Sequence, residues 1–189
     1  RNAADAENTR RAVIDTNYRA WQVINSAQGK GGSGGRIEGL AALLKNGVSL
    51  AGVCLDDAWL ERVQLPRATL TRASMQRTNL AHANLAAADL EGVNFHGADL
   101  LAADLTGVSL KRADLTGARL SAATLDGADL AELTGWTEIA SISHASIDGV
   151  KRAPDGFIAW AREHGAVDKR TPAPPEDGRP SESREFRAL

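Results

Sequence analysis

Ala83-Asn84-Leu85-Ala86-Ala87-Ala88-Asp89-Leu90-Glu91-Gly92-Val93-Asn94-Phe95-His96-Gly97-Ala98-Asp99-Leu100 decides the fold of this chain, because a large apolar residue falls at every fifth position. Followed in both directions the pattern does not slip. It runs Leu50, Leu55, Leu60, Leu65, Leu70, Met75, Leu80, Leu85, Leu90, Phe95, Leu100, Leu105, Leu110, Leu115, Leu120, Leu125, Leu130, which makes seventeen consecutive units. Two residues before each large residue stands a small one, such as Val48, Ala58, Thr78, Ala88 or Ala128. Between them Asp or Asn is frequent, and glycine recurs two places after the leucine at Gly92, Gly97, Gly107, Gly117 and Gly127.

A period of five suits neither common element. A helix needs apolar residues three and four apart and a strand needs them at every second place, whereas leucines five apart would spread around a helix that recurrent glycine already weakens. A chain that turns a corner every five residues does bring them together. Each unit is then one side of a coil with its leucine toward the axis, and stacked coils bury the leucines as ladders. A fixed short period of this kind marks a solenoid and outranks local propensity.

The units Ala-Asn-Leu-Ala-Ala, Ala-Asp-Leu-Leu-Ala and Ala-Asp-Leu-Thr-Gly resemble the pentapeptide-repeat family. The resemblance implies an all-β solenoid, a right-handed quadrilateral β-helix in which about four units make one coil and coils stack at about the strand spacing of ~4.8 Å. Residues twenty apart would then lie above one another, giving ladders such as Leu50, Leu70, Leu90, Leu110, Leu130 and Leu55, Met75, Phe95, Leu115. The words Arg36-Ile37-Glu38-Gly39-Leu40 and Val48-Ser49-Leu50-Ala51-Gly52 resemble the segment that precedes the repeats in many bacterial members, several of which carry membrane helices before it. With Cys54 as its single cysteine the chain is expected to be cytoplasmic, and its start at Arg1, without a methionine, matches a membrane tether through an earlier segment as the variant of that expectation.

Outside the repeats, N- and C-terminal α-helical caps are expected. Val13, Ile14, Tyr18, Trp21 and Ile24 fall at helical spacing in an amphipathic segment from Ala3 to about Ala27. A glycine-rich turn over 29–35 follows; it lacks the spacing and the following Lys-Ser/Thr of a phosphate loop. Ile37, Leu40, Ala41 and Leu44 mark a short second helix with Gly47 at its C-terminal cap, placed to cover the open first coil. After Leu130 the register breaks around Trp136, and two units return in a shifted frame, Ala140-Ser141-Ile142-Ser143-His144 and Ala145-Ser146-Ile147-Asp148-Gly149. Pro154 opens and Gly165 closes a segment in which Phe157, Trp160 and Ala161 share a face. The resulting division is 1–47 for N-terminal helices and turn, 48–130 for the repeats, 131–150 for a loop and two shifted repeats, 151–167 for a cap helix and 168–189 for a disordered tail.

Composition agrees with a narrow axial core, since aromatics are 4% of residues. The net charge of −2 predicts no nucleic-acid partner, and the absence of a long apolar run predicts no membrane span in this chain. Cys54 is the only cysteine, so no internal disulfide can form.

No catalytic, cofactor or metal site is expected. Asp89, Asp99, Asp104, Asp114 and Asp129 recur at a repeat position and are read as corner residues that bond the backbone. Arg62, Arg67, Arg72 and Arg77, five apart, form a belt around one coil rather than a patch. His82, His96, His144 and His164 show no ligand spacing. Cys54 has no activating neighbour in its ladder.

Two functions remain. The first is a non-catalytic scaffold or protein-interaction domain, with the soluble part of a membrane-tethered protein as one form of it. The alternative, implied by the family resemblance, is a DNA-mimicking protein that binds gyrase and protects it from quinolones. Residues 48–130 carry seven basic and ten acidic side chains spread over all sides, which suits the first better. The candidate partner surface is Ala81, His82, Ala86, Leu101, Ala102 and Ala122, where small apolar residues replace charge, covered by the N-terminal helix or by another molecule. A homo-oligomer through this stripe or through the C-terminal cap is the other expected association.

Overall fold

The computed structural model describes residues 3–26 and 33–168. The expected tail and most of the glycine-rich turn lie outside the described residues.

From Cys54 onward, parallel bridges join each residue of the Asp/Asn position to the one twenty residues later. Four five-residue units therefore close one coil, and the bridges form four ladders. The first is Cys54, Ser74, Asn94, Asp114, Thr134; the second Trp59, Asn79, Asp99, Arg119, Ser141; the third Gln64, Asn84, Asp104, Thr124, Ser146, Val167; the fourth Thr69, Asp89, Ser109, Asp129, Lys151. Each bridge is isolated, one residue wide, because a corner follows within two residues and no longer strand can develop. The expected solenoid is present; its sides are single bridges rather than strands.

The unit 88–92 shows why the repeat has its composition, since every backbone N–H in it has a partner. Ala88 donates to Leu85 O across a corner, Asp89 to Ala68 O in the coil before, and Leu90 and Gly92 to Ser109 O and Lys111 O in the coil after. Glu91 N–H is left without a backbone acceptor, and Asp89 Oδ1 takes it at 3.2 Å. Asn79, Asn84, Asn94, Asp99, Asp104, Asp114 and Asp129 do the same for the N–H two residues on. The Asx side chain thus closes the backbone account that a buried or half-buried corner requires. The second residue after each leucine has positive φ, so glycine is favoured there, yet Arg62, Arg67, Arg72, Arg77, His82, Ala87, Ala102 and Ala122 also adopt it.

Inside, the leucines and the small residues are buried along the whole length, with Phe95 stacked in the ladder of Leu55, Met75 and Leu115. Burial of each leucine contributes about 1.5–3 kcal/mol. Thr78 is the one buried polar side chain in the repeats among the described residues, and its Oγ1 donates to Leu55 O at 2.8 Å.

Two helices precede the coils: α1 (Ala3–Ser26) and α2 (Arg36–Lys45). Leu40 and Leu43 of α2 are fully buried in the same apolar cluster as Leu50, and Ala20 and Ile24 of α1 join it. Gly39 lets the two helices approach, since a Cβ there would lie 3.3 Å from Ala20 O. Helix α2 ends in a Schellman arrangement: Gly47, at φ 68°, donates to Leu44 O, and Val48 donates to Leu43 O. The chain then enters the first coil directly.

After Thr134 the spacing between bridged residues changes from twenty to twenty-two, as in Arg119 with Ser141. The two extra residues are taken up by a 3₁₀ turn, Trp136–Glu138, while Gly117 N–H still finds Glu138 O. Ile142 and Ile147 are buried in the core. Helix α3 (Phe157–Glu163) is shorter than the expected segment, and it buries Phe157 and Ala161. Trp136 meets Phe157 and Trp160 edge-on at centroid distances of 5.9 and 5.8 Å. The pattern gave no sign of the last feature: residues 165–167 return to the coil edge, where His144 donates to Gly165 O, Ile147 donates to Val167 O and Val167 donates to Ala145 O.

Candidate functional surface

The third ladder and the two corners beside it carry the residues singled out as a partner surface. Ala81 and His82, Leu101 and Ala102, and Ala122 stack along the corner between the second and third ladders; Ala86 lies on the corner between the third and fourth. The register is held by His82 N–H to Leu101 O at 2.8 Å, and by Ala102 N–H to Ser121 O and Ala122 N–H to Ser143 O at 2.9 and 2.8 Å. Ala81, expected at the surface, is buried with 8% exposure, Leu101, Ala102 and Ala86 are half-buried, and His82 and Ala122 are exposed. Asn84 and Asp104 occupy the ladder between the corners.

Helix α1 does not cover this stripe. Ile14 is 59% and Tyr18 62% exposed, and Val13 is also exposed, so that half of the apolar face lies on nothing among the described residues. The physical reason is length. At ~1.5 Å per residue, the ten residues of α2 support only part of the twenty-four in α1. The supported part is Ala20 and Ile24, with Trp21 half-buried and Asn46 Nδ2 donating to Asn17 Oδ1 at 2.7 Å.

The electrostatics of the coils is one of pairing between neighbours in the stack. Arg77 makes two bonds of 2.8 Å to Asp57, which hold that carboxyl below the usual range and raise the guanidinium. Arg112 spans two coils, bonding Glu132 and Glu91, and its bond to Glu132 lowers that carboxyl. Arg119 bonds Asp99 at 3.0 Å and Arg152 meets Asp129. The belt arginines occupy four successive corners. Of these, Arg62 lies 3.8 Å from its neighbour Glu61, while the side chains of Arg67 and Arg72 pair with no carboxylate among the described residues.

Two aspartates do something that the repeat pattern does not announce. Asp56 Oδ1 accepts from Ser74 Oγ at 2.6 Å and from Gln76 N–H at 2.9 Å. Asp126 Oδ1 accepts from Ser146 Oγ at 2.5 Å and from Asp148 N–H at 3.0 Å. In both places serine stands where Asp or Asn would serve the corner, and a carboxylate from the coil before supplies the missing acceptor. A serine at the Asx position with an aspartate directly after the leucine of the coil before, as in Leu55-Asp56 and Leu125-Asp126, is the signal that finds them.

His82, His96 and His144 sit on corners, and His164 stacks on Trp160 at 4.3 Å with Nδ1 2.7 Å from Trp160 O. Cys54 is half-buried at the start of the first ladder. A cleft of about 220 Å³ lies beside Trp160 and His164, lined by Ile139, Ile142 and Ser143. Among the described residues no three His, Cys, Asp or Glu side chains converge as a metal site requires, and no helix is long and apolar enough to cross a membrane.

Residues 64–100, 73–112 and 94–131 match the family model described as pentapeptide repeats, in eight copies. Solved structures similar to this chain include a pentapeptide repeat protein from Nostoc, 23% identical over 75% of this chain and 100% of that one, with a TM-score of 0.45. Another comes from the thylakoid lumen of Arabidopsis thaliana, 21% identical over 62% of this chain and 78% of that one, with a TM-score of 0.42. A third is the full-length plasmid-mediated fluoroquinolone resistance protein QnrB1, 16% identical over 62% of this chain and 68% of that one, with a TM-score of 0.21. The comparison with curated proteins returned no match.

Proposed function

The repeats over residues 64–131 belong to the pentapeptide-repeat family, and from that premise we propose that the chain is a non-catalytic protein-interaction scaffold. In this reading the coils form a right-handed quadrilateral β-helix, with α1 and α2 closing one end and α3 with residues 165–167 the other. The packed axis supports it: leucine and alanine fill the interior of the coils, and their surface is made of short corner side chains and ion pairs. Such a rod presents surface, and the face centred on Leu101 is the part of it with least charge. A membrane tether ahead of α1 belongs to the same proposal.

The DNA-mimic alternative asks for a continuous acidic face. Arg77, Arg112, Arg119 and Arg152 each neutralise carboxylates on neighbouring coils, which leaves the acidic groups broken up by cations along three of the ladders and corners. The interaction reading is therefore preferred.

The test is a pull-down with the whole chain, parent beside Leu101→Asp, with melting temperature as the control for folding. A protein held by the parent and lost by a variant of unchanged stability is the expected result. Identical capture by both refutes this face as the interaction surface. Inhibition of gyrase supercoiling at low micromolar concentration would replace the scaffold by the mimic.

A further inference from the structure

We propose that the face of the third ladder is self-complementary and binds a second copy of this chain with the two solenoids antiparallel. This rests on the interaction reading above and names its partner. Counting coils from residue 48, the first four rows of the face pair in this arrangement, and the rungs of Ser146 and Val167 extend beyond it. On the corner between the second and third ladders the four rows are Glu61 and Arg62, Ala81 and His82, Leu101 and Ala102, Ser121 and Ala122. On the corner between the third and fourth they are Pro66 and Arg67, Ala86 and Ala87, Thr106 and Gly107, Asp126 and Gly127.

A two-fold axis in the plane of this face, perpendicular to the solenoid, sets each corner against the same corner of the other copy. It exchanges the first coil with the fourth and the second with the third. Arg67 then meets Asp126 of the second copy, and symmetry makes that contact twice. Arg67 is exposed and its side chain pairs with no carboxylate, and Asp126 has no cation beside it among the described residues. In the middle rows Leu101, half-exposed, is set on Ala81 of the second copy, a large side chain over the smallest available one. Asn84 is set against Asp104, an amide against a carboxylate. Arg62 meets Ala122, and none of these four rows opposes like charges. A parallel pair, by contrast, would oppose Arg62 with Arg67 and Leu101 with Thr106. The charge pattern thus selects the antiparallel arrangement.

Four coils at ~4.8 Å make a face about 20 Å tall. The area buried in total stays below about 1,000 Å², which places the pair among weak associations. Sedimentation velocity of the full chain from micromolar to about millimolar concentration is the measurement. Dimer that grows with concentration is expected, with Leu101→Asp and Arg67→Glu each weakening it roughly tenfold or more. Arg72→Glu is the control, because Arg72 shares the positive φ and the unpaired state of Arg67 but lies on the next corner, between the fourth and first ladders, outside this face. It should change nothing. Mixing Leu101→Asp with Ala81→Lys should restore a heterodimer, since one new ion pair and one original Leu101 contact form, while each variant alone sets a charge against an apolar side chain at both contacts. Circular dichroism of each variant confirms that it is folded. A parent that is monomeric at every concentration overturns the self-pairing and leaves the interaction reading to its own pull-down. A dimer equally weakened by Arg72→Glu, or unaffected by Leu101→Asp, overturns it as well.

Discussion

Gly135→Ala should be among the most damaging single changes outside the leucine ladders, although it adds one methyl group. Gly135 has φ 63° and opens the turn that absorbs the register shift. A Cβ there would lie 2.6 Å from Thr116 N and 2.7 Å from Asp114 Oδ1, and it would overlap Thr116 Oγ1. Those atoms are engaged with each other: Asp114 Oδ1 accepts from Thr116 N–H and from Thr116 Oγ1. Gly107→Ala is the matched comparison, with φ 65° and nothing within 4 Å of its Cβ. The left-handed backbone costs alanine about 1 kcal/mol at either site. At Gly135 the corner must also lose charge-assisted hydrogen bonds worth roughly 1.5–3 kcal/mol or move backbone, so the total is about 3–5 kcal/mol. At ~2–4 °C per kcal/mol for a domain of this size, thermal denaturation followed by circular dichroism should show a fall of about 10 °C for Gly135→Ala and about 3 °C for Gly107→Ala. Equal melting temperatures for the two would refute the argument that close approach, rather than φ alone, requires glycine at 135.

Leu90→Asp places a carboxylate in a fully buried ladder and should abolish the folded signal, whereas Asp89→Ala removes only the acceptor for Glu91 N–H and should cost about 1 kcal/mol in urea denaturation. Asp56→Ala orphans two donors, Ser74 Oγ and Gln76 N–H, and should cost more than Asp89→Ala in the same experiment; an equal loss would remove the distinction. Asp57 and Glu132 have lowered carboxyl pKa values in the fold, so their contribution is present above the ordinary values of 3.8 and 4.5 and is lost as pH falls below them. The decline in melting temperature across that acid window should be shallower in Asp57→Asn/Glu132→Gln; an unchanged slope counts against it.

Much of the molecule was determined by local chemistry repeated without interruption. A large apolar residue every fifth place has few ways to be buried, and a corner every five residues leaves one N–H unpaired per unit, so Leu90 and Asp89 between them dictate both the coil and its surface. The Gly47 cap was legible for the same reason, since a Schellman arrangement is built from adjacent residues. What lay hidden depends on residues that approach only after the chain has coiled. Asp56 and Asp126 look like surface charges until stacking brings them under Ser74 and Ser146. Trp136 looks like a loop aromatic until the two-residue shift turns it onto Phe157 and Trp160. The apolar face of α1 reads as continuous, yet Ile14 and Tyr18 remain exposed while Ile24 is buried, because the support beneath the helix is shorter than the helix. A period in the sequence states which residues must share an axis. Which side chains meet across coils, and how far a helix is covered, is set by stacking distance and element length, and only the tertiary structure supplies those.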